Sequence, residues 1–261
     1  MYSLRDKIVF ITGASSGIGA SCARAFAAQG ARVLMCARRI ERIEALAAEL
    51  KKEHGVAAHA FQLDVRDQPA VEKAMASLSP EWEALEVLVN NAGLARGMSK
   101  LHEGNLQDWE EMIDTNVKGL LYVSRAVIPG MIKRGVGHLI NLGSIAGVEA
   151  YPGGNVYCAT KAAVRFLSQG LRMDLLGTPI RVTNIQPGMV ETEFSVVRFH
   201  GDQERSDKVY EGLRPLTGDD IADLIVFAAT RPPHVNINEM TVMPVAQASA
   251  TMSYREKKSA G

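Results

Sequence analysis

Thr12-Gly13-Ala14-Ser15-Ser16-Gly17-Ile18-Gly19 is the stretch that decides the fold. It follows a short apolar run, Ile8-Val9-Phe10-Ile11, and precedes an amphipathic run over 18–28. That context reads strand, tight turn, helix. Glycines at 13, 17 and 19 let the backbone turn sharply and approach a bulky anion with no Cβ in the way. Ser15, Ser16, Gly17 and Ile18 then open a helix whose free N–H groups and positive dipole end point at that anion. A dinucleotide pyrophosphate fits the description. The spacing is G-x-x-x-G-x-G rather than G-x-G-x-x-G. Alone it would describe an ordinary glycine-rich turn, so the reading rests on the strand before it, the helix after it and the motifs further along the chain.

Short apolar runs alternate with helical patterns from that point on. Strands are expected at 32–36, 57–63, 87–89, 138–142, 180–185 and 239–243. Helices are expected at 41–53, 71–78, 116–134, 155–176 and 219–229. The strands are nearly continuously apolar, which predicts a parallel sheet covered by helices on both faces. The fold class is therefore α/β, a doubly wound parallel sheet in one domain over 1–252. Residues 194–216 are charged and mixed, longer than an ordinary connection, and read as a mobile substrate loop. The polar tail 253–261 reads as frayed. Two helical runs, 117–128 and 159–167, are apolar nearly all round, so one side must meet the sheet and the other a second subunit.

Composition narrows the class. The chain has 261 residues, 47% of them hydrophobic, enough for a large core. Lys+Arg and Asp+Glu both number 29, so no net charge points to nucleic acid or an anionic membrane as partner. The N-terminus lacks the layout of a signal peptide, and no apolar run reaches the length of a membrane span. The three cysteines, Cys22, Cys36 and Cys158, form no Cys-x-x-Cys pair. They are read as reduced thiols of a cytoplasmic protein, with no metal site.

Tyr157 and Lys161 stand four apart at the start of a predicted helix, which puts both on one face. A nearby ammonium favours the phenolate, so the pair could exchange a proton near neutral pH. Ser144 lies just past the fifth strand, at the carboxyl end of the sheet where ligands bind. Its hydroxyl could donate to a carbonyl oxygen as charge develops there. Asn116, at the expected start of its helix, could cap that helix or hold a water that passes protons on.

These pieces together resemble the short-chain dehydrogenase/reductase family. The matching residues are Thr12-Gly13-x3-Gly17-x-Gly19, Asn90-Asn91-Ala92-Gly93, Asn116, Ser144, Tyr157-x3-Lys161 and Pro187-Gly188, in the family's order. The resemblance implies a Rossmann-type sheet of about seven strands, a nicotinamide cofactor and a homodimer or homotetramer. It implies that Tyr157 handles the hydroxyl proton and Ser144 positions the carbonyl. Lys161 would bind the nicotinamide ribose and lower the Tyr157 pKa, and Asn116 would hold a water. Asp64 and Val65 resemble adenine contacts. Asn91 and Gly93 would line the cofactor, and Pro187, Gly188, Val190 and Thr192 would flank the nicotinamide. The stretch from Pro187 to Phe199 further resembles the NADP-dependent 3-hydroxy acid dehydrogenases, which act on serine, allo-threonine and 3-hydroxy acids or reduce malonic semialdehyde.

An NAD enzyme usually places an acid after the second strand, to accept hydrogen bonds from the adenosine ribose. Here the strand runs into Arg38 and Arg39, and an arginine fork suits a 2′-phosphate. NADP is the expected cofactor. A substrate carboxylate would need a cationic partner in the crevice, and Arg96 and Arg198 are the candidates. Two other readings stay open, a broader carbonyl or ketosteroid reductase and a non-catalytic NADP-sensing protein. The intact Ser144, Tyr157 and Lys161 argue against the second.

Overall fold

Strand β1 (Ile8–Thr12) is buried at every position, as a strand covered on both faces must be. The computed structural model describes residues 2–256. β1 lies third in a seven-stranded sheet with β2 (Arg32–Ala37), β3 (Ala58–Gln62), β4 (Leu85–Asn90), β5 (Gly137–Leu142), β6 (Ile180–Pro187) and β7 (Glu239–Val242), and sits between β2 and β4. Their order is β3-β2-β1-β4-β5-β6-β7 and each pairing is parallel. The expected α/β doubly wound sheet of about seven strands is thus what the chain forms. The chain leaves β1 toward β2 and β3, then crosses back to lay β4 on the other side. That reversal opens a crevice at the carboxyl ends of β1 and β4.

Two cores flank the sheet. On one face Cys22 and Phe26 of α1 (Gly17–Ala28), Ile43 and Leu46 of α2 (Ile40–His54), and Ile221 and Ile225 of α9 (Gly218–Ala229) pack together. On the other face lie Val71 of α3 (Gln68–Ala76), with Val123, Val127 and Met131 of α5 (Leu120–Arg134). Each fully buried side chain of this size contributes about 1.5–3 kcal/mol. This fixes the frame to which the loops are attached. The outward side of α5 leaves Leu121 and Ile132 exposed. α6 (Asn155–Asp174) does the same with Phe166 and Met173.

Three segments depart from the sequence pattern. Helix α4 (Leu106–Ile113) precedes α5, capped by the Asn105 side chain on Gln107 N–H. A π-helical stretch, Asp114–Gly119, joins the two, so Asn116 caps no helix and lies inside a widened turn. Residues 194–216 form α7 (Phe194–Arg198) and α8 (Gln203–Tyr210) rather than an irregular loop. They are tied down by Ser195 to Tyr210 and by Tyr210 Oη to the Val190 carbonyl. The start of the tail is held too. Arg255 donates to the Val209 and Glu211 carbonyls, and Glu256 N–H to the Gly212 carbonyl. Residues 257–261 of that tail lie outside the described residues.

Candidate active site

The crevice begins as a knot between two loops. The Thr12 hydroxyl accepts from Asn91 N–H at 3.1 Å and Ala92 N–H at 3.0 Å. The Asn91 amide donates back to the Thr12 carbonyl at 2.9 Å and the Gly13 carbonyl at 3.1 Å. The loops approach so closely that a Cβ on Gly13 would lie 2.8 Å from Ala92 Cα. A Cβ on Gly19 would lie 2.5 Å from both the Asn91 amide and the Gly13 carbonyl. Gly19 therefore works behind the crevice, seating α1 on β1, and does not line it.

A cavity of about 520 Å3 extends from this knot across the ends of the strands. Of the residues expected to bind or react, Gly13, Ser15, Ser16, Gly17, Ile18, Arg38, Arg39, Asp64, Val65, Asn91 and Gly93 line its near half. Ser144, Tyr157, Lys161, Pro187, Gly188, Val190, Thr192 and Arg198 line the cavity too, with Thr192 against Gly17. Gly19, Asn116 and Arg96 do not.

The near half suits a phosphorylated dinucleotide. No side chain caps the N-terminus of α1, and its first turn carries no acid. Its N–H groups and dipole are left to an anion. Arg39 lies over the turn, donating to Ser15 Oγ at 3.0 Å and Ser16 Oγ at 2.8 Å. Its third nitrogen pairs at 2.8 Å with Glu193, which also takes Arg42 at 2.6 Å. Arg38 is exposed on the cavity rim. Asp64 is already held by Arg66 through side-chain and main-chain bonds, and these outweigh its burial to keep its carboxyl below the usual range.

The far half gathers the residues expected to react. Ser144, just past β5, accepts from Ala146 N–H at 3.1 Å and points its hydroxyl loosely at the Pro187 carbonyl, 3.5 Å away. Tyr157 and Lys161 lie one turn apart on α6, both buried. Lys161 Nζ donates to the Leu142 carbonyl at 2.7 Å and stands 5.9 Å from the Tyr157 ring centre. The expected lowering of the tyrosine by the lysine is not what this arrangement gives. Burial pushes the Tyr157 hydroxyl well above its ordinary value; Tyr151 adds to this, while Arg198 and Ser144 pull it back. Burial likewise brings Lys161 down to about 8. Tyr157 thus keeps its proton at neutral pH, the state of a general acid.

Asn116 makes three bonds within the protein. Its Oδ1 accepts from Leu94 N–H at 2.8 Å, and its Nδ2 donates to the Leu94 carbonyl at 2.8 Å and to Thr160 Oγ1 at 3.0 Å. It holds the loop after β4 against α6. The two arginine candidates also separate. Arg96 is paired to Glu111 at 2.7 Å and donates to the Val197 carbonyl at 2.7 Å. Arg198 sits 5.0 Å from the Tyr157 ring centre and 5.3 Å from that of Phe194. It donates to Tyr151 Oη at 2.6 Å, while its Nε is buried without a partner.

Sequence reasoning missed Tyr151, Glu193 and Gln247 as parts of this wall. Gln247 Oε1 accepts from Met189 N–H at 2.8 Å and shapes the turn after Gly188. Tyr151 could have been found, since an aromatic residue in a Pro-Gly-Gly turn just before Tyr157 must lie near it. Gln247 carries no such signal. All three cysteines are free and buried, and burial pushes the Cys36 thiol up to about 12.

Residues 7–202 match the family model for short chain dehydrogenase. The chain belongs to the short chain dehydrogenase family. Among the relatives of this short chain dehydrogenase is the NADP-dependent 3-hydroxy acid dehydrogenase YdfG of Salmonella typhi. It is 52% identical over 247 residues, which cover 94% of this chain and 98% of the relative. Serine 3-dehydrogenase of Agrobacterium fabrum is 48% identical over 249 residues, covering 95% and 98% of the two chains. Among solved structures, the closed form of serine dehydrogenase complexed with NADP+ superimposes with a TM-score of 0.89. It is 49% identical, over 96% of this chain and all of the other. Among the described residues no helix is long and apolar enough to cross a membrane, and no cluster of three or more His, Cys, Asp or Glu could hold a metal.

The buried lysine sets a pH signature. Unfolded, Lys161 stays protonated up to its ordinary 10.5; folded, only up to about 8. Between those values the unfolded state holds more protons, so stability rises with pH through that window and the full penalty stands below it. Relative to Lys161→Met, the native chain should gain roughly 3 kcal/mol in urea unfolding free energy from pH 8 to 10.5. Parallel curves for the two proteins would show that Lys161 is not held low.

Proposed function

We propose that this chain is an NADP-dependent oxidoreductase that interconverts short 3-hydroxy acids, such as serine, allo-threonine or 3-hydroxypropionate, with the corresponding oxo acids. The observation that carries the reading is the placement of Arg198. Arg198 lines the same cavity as Tyr157 and Ser144, its guanidinium is over the Tyr157 ring, and its buried Nε has no partner within the protein. A cation held in such a crevice is costly without an anionic partner, and a substrate carboxylate entering the cavity would meet the Arg198 guanidinium. A cationic anchor of that kind has no anionic partner on a ketosteroid, which favours the hydroxy acids over the broader carbonyl reductases.

NADP, when bound, supplies the hydride acceptor for the alcohol or the hydride donor for the carbonyl. The protein's own residues do the rest. Ser15, Ser16 and the N-terminus of α1 hold the pyrophosphate, and Arg38 and Arg39 take the 2′-phosphate. Asn91, Gly93, Pro187, Gly188, Val190 and Thr192 line the passage to the reacting end. Lys161 holds a ribose hydroxyl through its ammonium, fixed in direction by the Leu142 carbonyl. Ser144 turns its hydroxyl from the long Pro187 contact to the substrate oxygen. Tyr157 passes its proton to that oxygen in reduction, and in the reverse direction its phenolate, once its own proton has left to solvent, takes one back. Asn116 acts as a positioning residue, through Leu94 and Thr160, and its Oδ1, which accepts one bond, keeps a second acceptor site for a water. Phe194 and Tyr151 shield the reacting atoms from water. The exposed apolar sides of α5 and α6 serve as subunit contacts in a homodimer or homotetramer.

Cofactor choice follows from the arginines. Replacing Arg38 and Arg39 with Ala should raise KM for NADP about tenfold or more and change that for NAD much less. Equal losses with both cofactors would show that neither arginine reads the 2′-phosphate. The substrate class is tested by Arg198→Ala on a matched pair, 3-hydroxybutyrate against an uncharged secondary alcohol of similar size. A charge-assisted hydrogen bond is worth about 1.5–3 kcal/mol. The variant should therefore lose roughly ten- to over a hundredfold in kcat/KM for the acid alone. Equal losses for the two substrates would favour a general carbonyl reductase.

A further inference from the structure

Helix α7 carries Arg198 and has only five residues. A helix that short does not hold its own shape in water, so its position must come from contacts with the rest of the protein. Two of those contacts come from adjacent residues on a different loop. Arg96 Nη1 donates to the Val197 carbonyl at 2.7 Å, and Gly97 N–H donates to the Arg198 carbonyl at 2.8 Å. The last two carbonyls of the helix are therefore gripped side by side. A cation at this end also meets the negative pole of the helix.

Arg96 is itself fixed from the other side. Its Nε pairs at 2.7 Å with Glu111 on α4, and both side chains are largely covered, at 19% and 23% exposure. A fork that holds a carboxylate and a carbonyl at once has the rigidity of guanidinium and cannot be copied by an ammonium. Gly97 adopts φ +61°, which aims its N–H at the helix end, and a Cβ there would lie 3.3 Å from Asp108 Oδ2. Asp108 in turn pairs with His200 at 3.2 Å, just beyond the helix. Arg96 does not line the cavity, so it takes no substrate group itself.

We infer that Arg96 is a positioning residue for substrate selection: locked by Glu111, it fixes the end of α7 so that the Arg198 guanidinium meets the substrate carboxylate. The inference rests on the reading of Arg198 as the carboxylate anchor. Misplacement of a binding group by about 1 Å costs up to about a hundredfold, and the Gly97 contact remains when Arg96 is changed. The expected effect is smaller than removal of Arg198.

The test is a double-mutant cycle of Arg96→Met and Arg198→Met, read as the ratio of kcat/KM for 3-hydroxybutyrate to that for an uncharged secondary alcohol. NADPH affinity by fluorescence and thermal midpoints are measured alongside. Arg96→Met should lower the ratio about tenfold while leaving NADPH affinity unchanged. In the Arg198→Met background it should lower the ratio no further, because the residue acts only through Arg198. Arg96→Lys should give an intermediate ratio, and it carries the same test if Arg96→Met fails to fold. A merely structural role would lower both substrates equally and leave the ratio alone, which overturns the inference. So would a full additional loss in the double variant. An unchanged ratio in Arg198→Met removes the anchor reading and this inference with it. A lowered ratio there with an unchanged ratio in Arg96→Met and Arg96→Lys removes this inference alone.

Discussion

The contact on which the rest depends is the reciprocal hydrogen bonding between Thr12 and Asn91. It joins the ends of β1 and β4 at the place where the strand order reverses. Parallel strands splay their loops outward there, and nothing in the sheet itself holds two such loops together. The Thr12 hydroxyl is buried and pairs with two N–H groups, and the Asn91 amide answers with two carbonyl contacts. Each bond contributes about 0.5–1.5 kcal/mol net, and losing one partner would leave the others unsatisfied at greater cost. The glycine requirement follows from this knot. Gly13 and Gly19 are small because the loops and α1 are drawn within contact distance.

From the knot outward, charge is handled in two ways. At the cofactor end the ions are exposed. Arg39 and Glu193 keep 42% and 44% of their side-chain surface, so their pair is worth about 0–1 kcal/mol and is easily exchanged for another anion. At the reacting end the polar groups are buried. Tyr157 is pushed up and Lys161 down, both by loss of solvent, and that cost is borne by the fold. The sheet and its two cores are what tolerate it. The same division explains why Arg198 keeps an unsatisfied Nε on the buried side, while Arg38 faces solvent.

Much of this was legible in the sequence because the fold writes itself in two periods. Buried parallel strands leave short apolar runs, and the turn at Gly13–Gly19 marks where the first meets its helix. The residues of the reacting end were legible for a related reason: Ser144 follows a strand, and Tyr157 and Lys161 share a helix face. What stayed hidden depends on long-range contacts. Asn105 and the spacing of Trp109, Met112 and Ile113 could have announced α4, but the π-helical turn that draws Asn116 inward has no local signature. The segment 194–216 is polar because it lies on the surface, and its helices are set by Arg96, Gly97 and Tyr210 from elsewhere. The division between Arg96 and Arg198 was likewise invisible, since only the fold reveals that Glu111 claims one of them.

The central claim is that the buried Tyr157 hydroxyl transfers the proton while the cavity holds NADP. Tyr157→Phe removes that oxygen and little else. Single-turnover reduction of acetoacetate by the NADPH-loaded protein should slow by about a hundredfold or more, the scale of a lost general acid. NADPH affinity should stay that of the native chain. Near-native turnover in this variant would contradict the account, and would assign the proton transfer to a group other than Tyr157.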